Sequence, residues 1–208
     1  MSGIVAQNVG RPSGLIKAAE GGGGTWVEIK SLTASSSSTL SFVDGTSDVV
    51  LDSTYPVYCF KWTDIHPQTD DVVFHFQGNA AGGSGYNETI TSTAYQAYHT
   101  EANDVASTVY PTDNDQAQGT GFQIISSVGG VQNDASLSGF MYLFDPSDTT
   151  YQKHFLARTT EMYEDSAVGA IELHTAGYFN TTAAIDEIQF KMSSGNIDAG
   201  TIKLYGLG

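Results

Sequence analysis

Residues 185–208, IDEIQFKMSSGNIDAGTIKLYGLG, read as two strands and a turn. Ile188, Phe190 and Met192 alternate with Glu187, Gln189 and Lys191, and Ile202 and Leu204 alternate with Lys203 and Tyr205. This is the period-two pattern of half-buried strands. Between the two runs lies SSGNIDAG, in which Gly195, Asn196 and Gly200 tolerate positive φ. The spacing therefore predicts that the chain reverses there and returns antiparallel. A strand this regular near a chain end is predicted to be central to a sheet, because a terminus is ordered only where it is tied down.

Working outward, the same alternation recurs along the chain. TYPVYCFKWTDI sets Tyr58, Phe60 and Trp62 on one face against Val57, Cys59 and Lys61 on the other, and DDVVFHFQGN follows as a second long strand. Upstream, TWVEIKSLTA alternates Trp26, Glu28 and Lys30 with Val27 and Ile29, which puts Trp26 on the face away from the core. The serine run 35–38 is followed at once by TLSFV and Asp44-Gly45, so it reads as a surface loop and not as a domain boundary. Downstream, GFQIISSVG, SLSGFMYLFDPS, TYQKHFLARTTEMY and VGAIELHTAGYF complete about nine or ten strands by pattern. Regular spacing with Gly, Asp and Asn punctuation predicts an all-β chain, an antiparallel β-sandwich or jelly roll.

Composition agrees. Twenty-three glycines and 23 aromatic residues (11 Tyr, 10 Phe, 2 Trp) suit strands and turns in a single domain of 208 residues. Eight Lys and Arg against 23 Asp and Glu give a net charge of −15. Such a surface repels phosphate backbones and anionic lipid, so neither nucleic acid nor membrane is an expected partner. No basic, apolar and small-residue leader opens the chain and no apolar run approaches about 20 residues, which predicts synthesis in a cytoplasm. The single Cys59 reads as a buried thiol.

Residues 1–24 stand apart from the 25–208 sandwich domain. MSGIVAQNVGRPSGLIKAAEGGGG is broken by Gly and Pro and ends in four glycines, which marks an extended N-terminal arm and a hinge. It carries Ile4, Val5, Val9, Leu15 and Ile16 with Arg11 and Lys17, more apolar side chains than a solvating tail needs, and so is expected to dock in assembly.

Candidate chemistry is sparse. His66, His75, His99, His154 and His174 are scattered without metal-ligand spacing. Asp113, Asn114 and Asp115 beside Gly119 lack the closing glutamate of a calcium loop and read as a turn, so no metal or other cofactor is expected. Glu172 and Glu187 are the carboxylates that a common groove would need for glycoside hydrolysis, yet each alternates out of phase with apolar neighbours, the pattern of solvent exposure, and no enzyme is expected. The long irregular stretch 79–121 is the default place for function, and it holds Tyr86, Tyr95, Tyr98 and Tyr110. With Trp26 these could form an aromatic platform for sugar rings or a host surface molecule, or they could pack with wet hydroxyls.

The closing residues Ser193–Gly206, SSGNIDAGTIKLYG, resemble those of a recurring family of tailed-bacteriophage structural proteins, many from marine phages, whose chains end in F-x-M/F-S-S-G-N-I-x-x-G-T-I-x-L-Y-G. The HPQTDD turn at 66–71, followed by a strand that runs into a Gly-rich, Tyr-containing loop, is similar to that family too. The resemblance covers roughly Tyr55–Gly208. It implies a non-enzymatic virion component assembled in the host cytoplasm, a tail-fibre, tail-tip, capsid-decoration or head-fibre subunit, with other virion proteins and copies of itself as partners and a homo-trimer favoured. The alternative is a lectin-like module that recognises a host surface glycan.

Overall fold

The computed structural model describes residues 25–127, 129–164 and 168–208. The arm, with Ile4, Val5, Val9, Leu15 and Ile16, lies outside the described residues. Thirteen strands follow in chain order: β1 (Trp26–Thr33), β2 (Leu40–Val43), β3 (Val57–Pro67), β4 (Phe74–Ala80), β5 (Ile90–Thr100), β6 (Ala106–Val109), β7 (Ala117–Gly119), β8 (Gln123–Ile124), β9 (Leu137–Phe144), β10 (Lys153–Glu164), β11 (Val168–Phe179), β12 (Ile185–Met192) and β13 (Ile197–Leu207). The count exceeds the nine or ten of the pattern because β2, β6, β7 and β8 are two to four residues long, too short to show a period.

All pairings are antiparallel, and they build a two-sheet β-sandwich. The larger sheet runs β1-β13-β3-β9-β10-β11-β5-β6, with β7 also on β5, and the smaller runs β2-β12-β4-β8. As expected, β13 is interior, hydrogen-bonded to β1 on one side and β3 on the other. The expected hairpin is corrected, however, because β12 and β13 do not pair. They lie in opposite sheets, and 193–196 is an arch from one to the other. The physical reason is that both strands carry a fully apolar inner face, and two such faces are better buried against each other across a core than side by side in one sheet.

The arch is the middle one of three. β1 crosses to β2 through 34–39 and β3 to β4 through 68–73, so β1-β13-β3 lies in the same order as β2-β12-β4. Asn196 ties the three together: its carbonyl accepts from Gln68 N (3.0 Å) and its side-chain amide donates to Ser36 O (3.0 Å). Ser193 bonds Val73 through both its backbone N–H (2.9 Å) and its Oγ (3.1 Å). Gly195 has φ +68°, and a Cβ there would fall 2.2 Å from Thr69 Oγ1, so both backbone and space require glycine.

Phe190, from the middle of β12, is the hub of the core. Its ring lies 5.5–6.3 Å from those of Phe42, Phe60, Trp62, Phe74 and Phe76, which come from both sheets. Phe155 and Phe179 extend the cluster under the far half of the larger sheet. There the smaller sheet narrows to its two-residue edge strand β8, which with 125–127 supplies cover. Ile124 and Ile125 offer their carbonyls to the Thr175 and Thr159 hydroxyls, and Ser126 Oγ accepts from Phe74 N (2.7 Å). Beneath this cover Glu161 is buried, and neither carboxylate oxygen has a hydrogen-bond partner among the described residues. Burial pushes its carboxyl up to about 8, and the neighbouring Ser127 backbone and hydroxyl dipoles, outside hydrogen-bond geometry, oppose the rise.

Two expected outcomes follow from these contacts. Phe190→Ala should lower stability by about 3–5 kcal/mol, and deleting Thr201–Gly208 should abolish cooperative unfolding, both read by denaturant melts. For Glu161 the folded protein holds its proton to higher pH than the unfolded chain. Stability is therefore fullest below about 4.5 and declines as pH rises toward about 8, with a slope approaching about 1.4 kcal/mol per pH unit. Glu161→Gln should flatten that decline in melts taken across pH 4.5–8.

Candidate functional site

The outer face of the larger sheet gathers accessible aromatic and charged side chains. Strand register, read across six strands, places Lys203, Lys61, Phe140, Arg158, His174 and Tyr95 in one line. Three of the chain's eight basic residues thus meet in one cross-strand row on a protein of net charge −15. One end is anchored where Lys203 Nζ donates to Glu28 Oε2 at 3.0 Å, and at the other the His174 and Tyr95 rings stack at 4.5 Å and 9°. Arg158 pairs through Nε with Glu172, whose carboxyl it holds below the usual range, and His174 Nε2 lies 3.5 Å from the same carboxylate oxygen.

Beside this row sit short residues. Thr201, Thr63, Ser138 and Thr160 leave a depression that the long side chains wall on one side. A hollow of about 720 Å³ runs from Lys61 past Arg158 to Ala97 and His99, and a second of about 650 Å³ continues from Lys61 and Thr63 to Thr201 and Lys203. Both are lined by Lys61 and Thr63, so the two hollows, together termed the trough, lie end to end across the sheet. On the far side of the row lies an aromatic band: Trp26 meets Tyr205 at 5.4 Å and Tyr142 at 6.4 Å, and Tyr142 meets Phe140 at 5.1 Å and Phe144 at 6.3 Å. Cys59 lies sealed between Tyr205 and Tyr142 in register, and burial raises its thiol to about 12, so it is inert as a nucleophile.

The four tyrosines do not form one platform. Tyr95 and Tyr110 share the outer face, where the Tyr110 hydroxyl donates to Asp115 and lies 3.3 Å from Thr93 Oγ1. Tyr98 falls in the inward phase of β5, opposite Ile171. Tyr86 belongs to the smaller sheet's side, its backbone N–H on Asn79 Oδ1 (2.7 Å) and its phenol raised by burial and then by Glu187. Strand alternation explains the split, since residues three apart on one strand point to opposite faces. Trp26 is on the outer face as expected, half-exposed at 46 %. A register shift at Ile29 turns Lys30 toward the inner side, where Nζ donates to Ser47 O (2.7 Å).

Glu172 and Glu187 do not share a groove: Glu187 lies on the smaller sheet, accepting from Asn79 Nδ2 at 2.7 Å. Asp115 takes the Tyr110 hydroxyl, Asn114 O accepts from Gln123 Nε2 (2.7 Å), and among the described residues no group of three or more His, Cys, Asp and Glu is placed to hold a metal ion. His66 and His99 bond Gln132 O (3.1 Å) and Asn103 Oδ1 (3.2 Å), His154 packs on Tyr178, and half-buried His75 is depressed to about 4 by desolvation and then Lys191. Reading the sequence missed Lys61, Phe140, Arg158 and Lys203. They come from four separate strands, and only the sheet register brings them together.

No family model, curated protein or solved structure matches the chain.

The Arg158–Glu172 pair is largely solvent-accessible, 51 % and 32 % exposed, so it adds little to stability. Arg158→Ala should leave the midpoint of a denaturant melt essentially where it is in the wild type, which keeps this variant usable as a binding probe.

Proposed function

We propose that this chain is a non-enzymatic structural protein of a tailed-bacteriophage particle, a surface or tail appendage subunit such as a tail-fibre, tail-tip, capsid-decoration or head-fibre protein. The observation that carries the reading is the SSGNIDAGTIKLYG arch, whose Gly195 and Asn196 serve the crossing itself and so account physically for the residues that resemble that phage family. The open aromatic band on the outer face supports it, since exposed Trp26, Phe144 and Leu156 offer apolar surface for contact with a neighbour. In that setting the chain is made in the host cytoplasm and resides in the virion. Its partners are other virion proteins and copies of itself, a trimer first, with residues 1–24 as the docking arm. Mass spectrometry of purified virions should detect the chain at stoichiometric abundance, and its absence from them refutes the reading. Removing Met1–Gly23 should leave a folded domain that loses oligomerisation in light scattering or incorporation into particles.

A second reading, glycan recognition by a lectin-like module, is favoured by one feature, the Tyr95–His174 stack at the β5 end of the row that flanks the trough. In either reading the protein releases no reducing ends from polysaccharide, because Glu172 is committed to Arg158 and Glu187 stands on the other sheet.

A further inference from the structure

We infer that the trough on the outer face of the larger sheet binds a linear, uncharged polysaccharide, laid across the strands from β13 toward β5. The inference deepens the glycan-recognition reading and rests on it, and it holds whether or not the chain is a virion component.

Length comes first. From β13 through β3, β9, β10 and β11 to β5 there are five interstrand steps, roughly 24 Å at about 4.8 Å each. Two open hollows that abut at Lys61 and Thr63 along this span fit an extended polymer better than a compact metabolite.

The functional groups then select among polymers. A peptide laid on a sheet gains affinity chiefly by pairing its backbone with a free strand edge, and here the floor belongs to strands whose backbone groups are already paired on both sides. A polyanion meets Glu172 within the trough and Glu28 at its end, on a protein of net charge −15. A polyol has neither difficulty. Lys61 and Arg158 donate, Glu172 accepts, and Thr63, Ser138 and Thr160 do both, so donors and acceptors alternate along the path as a chain of ring hydroxyls requires. Arg158 uses Nε on Glu172, which fixes the guanidinium and leaves its remaining N–H groups for a ligand. Phe140 in the wall, and the Tyr95–His174 stack at the β5 end of the same flanking row, supply apolar faces for the C–H sides of sugar rings.

The test is affinity electrophoresis and isothermal calorimetry of the full chain with four neutral polymers (laminarin, agarose, dextran and mannan), with alginate as the polyanion and a single-stranded DNA oligomer as a second. Retention by at least one neutral polymer is expected, weakened at least tenfold by Arg158→Ala and by Lys61→Ala and unchanged by Lys191→Ala on the smaller sheet, with all variants melting as the wild type does. Failure to bind any neutral polymer overturns the inference. So does binding that survives both trough substitutions, or a preference for alginate or DNA that grows as salt is lowered. Virion mass spectrometry is independent of all these outcomes, so failure here leaves the virion reading standing and failure there leaves the trough.

Discussion

Burial of one aromatic ring against five others organises this fold. Phe190 sits where the middle strand of the smaller sheet faces the larger one, and its neighbours Phe42, Phe60, Trp62, Phe74 and Phe76 come from β2, β3 and β4. Each of those strands belongs to one of the three arches, or is the far end of one. Closing the arches is what brings the rings together, and burying the rings is what offsets the entropy of closing them. The polar side of the same device is Asn196, which links its own arch to both neighbours. A dry aromatic core and a hydrogen-bonded hinge line thus specify the same register, the agreement between levels that makes a sequence fold to one structure.

Much of this was legible in the sequence. The phases of Ile188–Met192, of Ile202 and Leu204, and of Tyr58–Trp62 correspond to buried inner faces, and the all-β sandwich with an interior closing strand follows from them. What periodicity could not tell is which sheet each strand enters. A two-strand pattern around Gly-Asn reads identically for a hairpin and for an arch, because alternation records which face is apolar and not what lies opposite. The shift at Ile29 escaped for a related reason: one extra residue reverses the phase of Lys30 and leaves composition untouched. Buried Lys153 was equally invisible, since its ammonium is accommodated by the carbonyls of Tyr151 (2.5 Å) and Thr182 (3.0 Å), which only the folded turn provides.

The candidate site was less legible. Its tyrosines were sought in one irregular segment, yet that segment contributes chiefly β5, an eleven-residue strand that widens the larger sheet and sends Tyr95 and Tyr98 to opposite faces. The row from Lys203 to Tyr95 exists only because six strands are in register, and its members are separated by up to 142 residues (203 − 61) in the sequence. The acidic character of the chain was informative by contrast. Against a charge of −15, cations gathered on one face stand out, and their carboxylate partners Glu28 and Glu172 keep that face from becoming a general attractant for polyanions.

The interior position of β13 also sets the order in which the molecule can be made. β1, β3 and their partners β2 and β4 emerge from the ribosome long before the strand that belongs between them, so throughout synthesis two edges of the larger sheet that will finally face each other stand without their common partner. Their contacts with β13 join residues up to about 180 positions apart, the kind of non-local pairing that forms late and slowly. Until it forms, β1 and β3 present open hydrogen-bonding edges to every other nascent copy nearby. A chain built this way carries that exposure until β13 pairs, and its net charge of −15 opposes contact between unfinished copies during the interval.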